Sequence, residues 1–233
     1  RGVVLLLFDR LVDAAHAVMD VRKEPISACD LIDRRHLSLA RENDVRFDLL
    51  IPPETETVLL VEVQADSASS AHRQLESILD RVKSGKHPPI GARMTTDAED
   101  VEIYWDLARK VVPTLYRLKG TSRPLPFIED VAIAPEHLPD FFNHLFEILR
   151  RHNVTASIFA HAGHGQLHVR PLLDLASRAD VEDMERIARE VYEEVLQRGG
   201  TISGEHGDGL SRSQFVPQQA GALYETFREI KQI

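Results

Sequence analysis

Only one cysteine, Cys29, occurs among 233 residues. No internal disulfide can form, and this chain alone supplies neither a Cys-x-x-Cys pair nor the thiolates of an iron–sulfur cluster. That usage fits a reducing compartment and makes the cytoplasm the expected location. Basic charge is also scarce: 28 Lys and Arg against 37 Asp and Glu leave a formal net charge of −9, and no Lys/Arg cluster alternates with aromatics. A nucleic-acid surface is therefore not expected. Long apolar runs are missing. The run over 3–8 is followed directly by Asp9, so it is read as a core strand rather than a signal peptide or membrane span, and nothing in this segment indicates membrane association. There is no GxGxxG, P-loop or HExxH motif, which leaves no complete nucleotide site and no zinc-peptidase helix.

With 43% hydrophobic and 28% charged residues, the chain is long enough for one large core or two small ones. Periodicity predicts strands near 3–8, 45–51, 57–64 and 89–95, helices near 9–21 and 67–84, and a short extra helix over 27–39. A helix near 98–111 and a Pro/Gly-marked loop over 119–126 follow. Strands near 127–134, 154–161, 166–173 and 200–203, helices near 136–151 and 180–198, and a last helix from Pro217 complete the reading. The element order β-α-β-β-α-β thus occurs twice. This predicts an α+β fold, a duplicated ferredoxin-like arrangement of two split βαβ units with antiparallel sheet covered by helices. The expected division is a first unit over 1–96, a linking helix and loop over 97–124, and a second unit over 125–233 that carries the chemistry. The chain opens on Arg1 and closes on an unfinished helical pattern at 229–233, giving the expectation of a domain excised from a longer protein.

Most of the functional information lies in two short segments, HAGHGQLH at 161–168 and SGEHGDG at 203–209. In the first, His161 and His168 flank a turn containing Gly163 and Gly165, between the apolar runs 154–159 and 167–173, which reads as a hairpin that brings two imidazoles together. In the second, Glu205 and His206 sit among Gly204, Gly207 and Gly209, residues that let a backbone approach a ligand closely. Two imidazoles and a carboxylate with open positions suit zinc or a similar divalent cation acting on a substrate oxygen.

These segments resemble the HxGDGNxH and GGxxSGEHGxG motifs of the C-terminal substrate domain of FAD-linked D-2-hydroxyacid dehydrogenases, the family of glycolate oxidase, D-lactate dehydrogenase and D-2-hydroxyglutarate dehydrogenase. The stretches 28–35 (ACDLIDRR) and 125–133 (LPFIEDVAI) are most similar to the long bacterial D-2-hydroxyglutarate dehydrogenases that fuse a flavoprotein to an iron–sulfur region. The resemblance spans essentially the whole chain and itself implies a duplicated ferredoxin-like fold. It further implies that His161, His168 and Glu205 hold a divalent metal, zinc or manganese, that His206 is the catalytic base, and that Arg109 pairs with a substrate carboxylate. Gly204 and Gly207 are then expected against the cofactor. FAD would be held mainly by a separate N-terminal domain, the partner of this one, and the substrate would be a small 2-hydroxyacid whose C2 hydride passes to flavin. Arg117, Lys119 and Arg123 are further candidates for a second carboxylate. The chain departs from the family at His164 and Gln166, which replace Asp and Asn, and near Phe127 or Ile128, where some relatives carry lysine.

Each assignment has a plainer competitor. His161 and His168 would otherwise be polar strand residues, His164 a solvent-exposed turn residue, and Arg109 a helix-surface partner of Asp106 or Glu102. His16, His72, His137 and His144 fall on helical patterns without partner spacing, and Trp105 and Phe127 read as packing residues. At the level of function, D-lactate or glycolate are alternative substrates, and a His2Glu metallohydrolase and a non-catalytic assembly domain are alternative classes.

Overall fold

The computed structural model describes the backbone of residues 1–233 and all side chains except those of residues 111 and 112. The strands are β1 (Gly2–Phe8), β2 (Ala28–Asp33), β3 (Thr57–Val63), β4 (Gly91–Thr95), β5 (Arg123–Pro124), β6 (Ile128–Ala132), β7 (Ala156–His161) and β8 (Gln166–Leu173). Among them run α1 (Leu11–Val21), α2 (Arg34–Asn43), α3 (Val45–Leu50), α4 (Ala68–Lys83), α5 (Ala98–Arg109), α6 (Val111–Leu115), α7 (Leu138–Arg151) and α8 (Arg178–Gln197). The short helices α9 (Gly209–Ser213), α10 (Val216–Ala220) and α11 (Tyr224–Ile230) close the chain.

All strand pairs are antiparallel, in the order β4-β1-β3-β2-β7-β8-β5, with β6 lying on the same edge of β8 as β5. Within the first half, strands one to four in chain order are arranged 4-1-3-2. In the second half β6, β7 and β8, with a single bridge from Thr201 to Ala132, follow the same arrangement. The halves meet where β2 pairs with β7 through Leu31↔Ala160 and Ile32↔Phe159. β1 is a run of β-branched and leucine residues buried on both faces, the expected composition of a strand with helices on either side. Side chains alternate along each strand. Val4, Leu6, Leu59, Val61, Leu31, Ile158, Leu167 and Val169 therefore face a continuous core covered by α1, α4, α7 and α8. Val3, Leu5, Val58, Leu60 and Ile32 face a smaller core under α2, α3 and α5.

The structure is α+β with an antiparallel sheet and helices, as expected, and corrects four elements. Residues 45–51, expected as a strand, form α3 and its C-cap Ile51: Asp44 caps the start by accepting from Arg46 N at 3.0 Å, and Phe47 and Ile51, one helical turn apart, are buried with Leu50 packed beside them. A segment this short, with Arg46 and Asp48 between its apolar residues, does not separate the two periods. The helix expected over 27–39 begins as β2, whose two aspartates hid a strand that pairs on both sides, and helix starts only at Arg34, capped by Asp33 accepting from His36 N at 3.0 Å. The strand expected at 200–203 is reduced to the Thr201 bridge, and the helix from Pro217 breaks at Gly221, whose φ is 54°.

Candidate active site

Alternation along β7 and β8 puts His161 and His168 on the sheet face opposite the large core, because Ala160, Leu167 and Val169 occupy that core. His161 pairs in register with Gln166, so His168 lies diagonally across from it, opposite Phe159, and the two rings meet edge to face with centroids 5.3 Å apart. The turn between them is tight. Gly165 has φ +80°, and a Cβ there would lie 1.8 Å from the Ile133 carbonyl oxygen, so no side chain fits.

The 203–209 loop arrives over this face and is fastened by Asp130. That residue sits at a β-bulge in β6 with φ 73° and is fully buried. Its carboxylate accepts from Glu205 N and His206 N at 2.9 Å, Ser203 Oγ at 3.0 Å and Gln166 Nε2 at 2.7 Å, and its carbonyl accepts from Gly204 N at 2.7 Å. Burial alone would raise the Asp130 carboxyl, but these donors outweigh it and hold it below its ordinary value. Such a φ in a non-glycine residue is strained and is sustained only where the surroundings fix it, as this set of hydrogen bonds does.

Three imidazoles then converge on one oxygen. Glu205 Oε1 lies 3.9 Å from His161 Nε2, 3.6 Å from His168 Nε2 and 3.4 Å from His206 Nε2. Each opposite ring nitrogen is held by a buried carboxylate: His161 Nδ1 by Asp30 at 2.9 Å, His168 Nδ1 by Glu129 at 2.8 Å, and His206 Nδ1 by the other Glu129 oxygen at 3.0 Å. Nδ1–H donated to a carboxylate leaves Nε2 as the free lone pair, the arrangement found behind metal-ligating histidines. The hydrogen bond to Asp30 raises the His161 pKa, against burial, and that to Glu129 does the same for His206. Burial pushes the Glu129 carboxyl up, yet hydrogen bonds from His168 and His206, with the Arg170 charge, bring it below its usual range.

The structure thus gathers His161, His168, Glu205 and His206. It also adds Asp30, Glu129 and Asp130, which sequence reasoning did not single out. Their signal was present: acidic residues inside otherwise apolar strand patterns, ACDLID and FIEDVA, each a costly burial unless partnered. Arg109 is not brought to the group. It is half exposed on α5, bonded to Glu102 at 2.7 Å and lying over the Trp105 ring. Gly204 and Gly207 are exposed in the loop; a Cβ at Gly204 would press on Gln166 and Asp130, and Gly207 has φ +75° with open space around it. His164 is exposed at the turn, and Arg117, Lys119 and Arg123 lie outside the cluster. A cleft of about 1000 Å³ near Ala156, lined by Arg10, Asp33, Arg34, Phe146 and Val154, shares no residue with it.

Fold and site together define an antiparallel α+β domain that presents an imidazole–carboxylate cluster on one face of its sheet. Over residues 1–233 the chain matches the family model "FAD linked oxidases, C-terminal domain", and it belongs to that family. It is 32% identical over 243 residues to a D-2-hydroxyglutarate dehydrogenase of Pantoea ananatis, covering 99% of this chain and 24% of that one. It is 30% identical to the D-2-hydroxyglutarate dehydrogenase of Escherichia coli, over 88% of this chain and 21% of that protein. It is also 26% identical to glycolate oxidase subunit GlcD of Bacillus subtilis, over 93% of this chain and 44% of that one. The chain therefore spans about a quarter of the length of the first of these relatives. In fold it is similar to p-cresol methylhydroxylase, with TM-score 0.62 at 12% identity over 97% of this chain and 48% of that one. The family match does not favour the metallohydrolase or assembly-domain readings.

Proposed function

We propose that this chain is the substrate- and metal-binding domain of an FAD-dependent dehydrogenase that oxidises the 2-hydroxyl of a D-2-hydroxyacid. The observation that carries the reading is the convergence of three Nε2 atoms on Glu205, with every Nδ1 fixed by a buried carboxylate. That donor set fits a divalent cation, Zn²⁺ or Mn²⁺, held by His161, His168 and Glu205, whose candidate ligand atoms all lie within 4.8 Å of one another. When bound, the cation would supply Lewis-acid polarisation of a substrate oxygen. A bound FAD, contributed mainly by a partner domain of the parent protein, would supply the acceptor for the two electrons released at C2.

The chain's own residues do the rest. His206 is half exposed and keeps Nε2 free to take the hydroxyl proton, while its Nδ1–H remains on Glu129. Such general-base help is commonly worth roughly 10²–10⁴ in rate. Glu129 orients two imidazoles with its two oxygens, and Asp130 holds Glu205 and His206 at the rim through their backbone N–H groups. Gly204 and Gly207 leave that rim free of side chains where a flat cofactor would approach.

The same reading takes the two halves as duplicated ferredoxin-like units over 1–96 and 125–233, joined by 97–124. The repeated 4-1-3-2 strand arrangement supports it. The substrate is taken as D-2-hydroxyglutarate, and an iron–sulfur region is placed elsewhere in the parent protein, both on the likeness to the long relatives. Buried Cys29, whose thiol burial pushes up, supports a reducing, cytoplasmic setting. Metal analysis with separate zinc and manganese titrations of the wild-type protein and His168→Ala tests the reading. We expect one equivalent bound by the wild type and none by the variant. A folded wild type that binds neither ion removes the metal from the mechanism.

A further inference from the structure

We propose that Arg170 is a specificity-determining residue that binds the distal carboxylate of a dicarboxylic 2-hydroxyacid. The inference rests on the function proposed above and deepens it, because it selects the substrate class.

Arg170 and Arg212 are the buried arginines among the described residues, 8% and 6% exposed, and each carries a buried Nε with no hydrogen-bond partner. Their remaining donors are used differently. Arg212 gives Nη1 to the Glu129 carbonyl at 2.6 Å and Nη2 to the Gly207 carbonyl, so it braces the backbone of the loop. Arg170 gives only Nη2, to Glu129 Oε1 at 3.0 Å. Its Nη1 has no acceptor among the described residues, and it is not among the occluded, unpartnered atoms, so it retains access to solvent. A guanidinium presents a rigid fork suited to carboxylates, and here that fork is buried beside the site with only one hydrogen bond made.

Its position sets the chemistry of the ligand. Arg170 is two residues beyond His168 on β8, hence on the same sheet face, and both side chains donate to the same Glu129 oxygen. Two residues of strand span roughly 6.6 Å. A five-carbon dicarboxylate whose C1 and C2 oxygens lie at the histidine cluster extends three further C–C bonds, about 4 Å end to end, before its second carboxylate. That group then comes within hydrogen-bond reach of the Arg170 fork. Phe159, opposite His168 in register and stacked on its ring with centroids 5.7 Å apart, offers an apolar wall for the intervening methylenes. Lactate and glycolate have no group that reaches Arg170. Arg109 does not compete for the role, since its recorded partners are Glu102 and Trp105.

The test compares the full-length wild-type protein with Arg170→Met and Arg170→Lys on D-2-hydroxyglutarate, D-2-hydroxypentanoate and D-lactate. The pentanoate has the same chain length without the second charge. We expect R170M to lower kcat/KM for the dicarboxylate at least tenfold more than for either monocarboxylate, mainly through KM, and R170K to recover part of that difference. An indirect role, in which Arg170 only steadies Glu129 and the histidines, would lower all three together, and equal losses overturn the proposal. If the wild type oxidises none of the three, the dehydrogenase reading fails, and equilibrium titration decides the Arg170 assignment on its own. Binding of D-2-hydroxyglutarate that weakens at least tenfold in R170M upholds the subsite, whereas binding unchanged in R170M, or absent from the folded wild type, overturns it.

Discussion

Glu129 is where the site is most sensitive to a single atom. One carboxylate oxygen accepts from His168 Nδ1 and Arg170 Nη2, the other from His206 Nδ1, so the group holds two imidazole tautomers at once. Glu129→Gln keeps the shape but replaces one acceptor by an NH2, which must then face a ring N–H or a guanidinium. We expect E129Q to fold and to bind Zn²⁺ or Mn²⁺ about 10–100-fold more weakly, the usual cost of removing the carboxylate behind a ligating histidine. Isothermal titration measures it, and affinity equal to wild type would show that Glu129 does not orient the ligands. The sequence exposed the ligands and concealed their supports. His161, His168, Glu205 and His206 stand in glycine-marked motifs, where residue type and spacing carry the chemistry. Asp30, Glu129 and Asp130 are distant in sequence from the side chains they hold, and only strand pairing across β2, β7, β8 and β6 brings them together. Arg170 was hidden for a related reason: in the LHVRPLL run it reads as the polar member of an alternating strand, and its buried state depends on what lies on either side.

Among the elements, the contact between α7 and α8 depends on a titratable clasp. His152, the residue closing α7, places Nδ1 2.9 Å from Asp183 and Nε2 2.7 Å from Glu190, both on α8. Burial lowers its pKa, but the two carboxylates outweigh burial, and the net shift is upward from the ordinary value near 6.5. A raised folded-state pKa means that the clasp stabilises fully below about pH 6.5 and is lost as pH rises through the folded value. Denaturant unfolding of wild type and His152→Gln at pH 5.5 and pH 9 should therefore show a larger stability gap at the lower pH. A gap that grows with pH would contradict the clasp. At this scale the sequence was most legible where elements are long and amphipathic: α1, α4, α7 and α8 and the strands β1, β3, β7 and β8 appear close to their expected positions. It failed at 45–51, where a short mixed segment was satisfied by a capped helix, and at 28–33, where aspartates in a strand served partners outside it.

Across the whole molecule, the two halves share one sheet and one apolar core. The strand seam is short, two register pairs between β2 and β7, and it is reinforced by two β2 carboxylates, Asp30, which accepts from His161 Nδ1, and Asp33, which makes the larger set of bonds. Asp33 accepts from His36 N at 3.0 Å, His36 Nδ1 at 2.5 Å and, across the seam, Ile158 N at 2.7 Å, while Ser157 Oγ meets the same imidazole at 3.0 Å. Ser157 and His36 are sealed from solvent, with the hydroxyl nearly equidistant from both ring nitrogens, so this Asp–His–Ser group fastens β7 to β2 rather than forming a nucleophile. The large core crosses the same boundary, running from Val4, Leu6 and α1 to Phe141, Phe142 and Leu145 of α7. Halves that share a core and a buried polar latch should unfold together, although each repeats the same strand arrangement. Trp105, the single tryptophan, reports the first half, and the far-ultraviolet circular dichroism reports both. We expect their denaturant midpoints to coincide in the wild type. Asp33→Ala strands the buried Ile158 N–H and the His36 ring without their acceptor, at a cost of about 3 kcal/mol. Its tryptophan and circular dichroism midpoints should fall together to lower denaturant. Two separated transitions in the wild type would instead show that the shared sheet and core do not bind the halves into one cooperative unit.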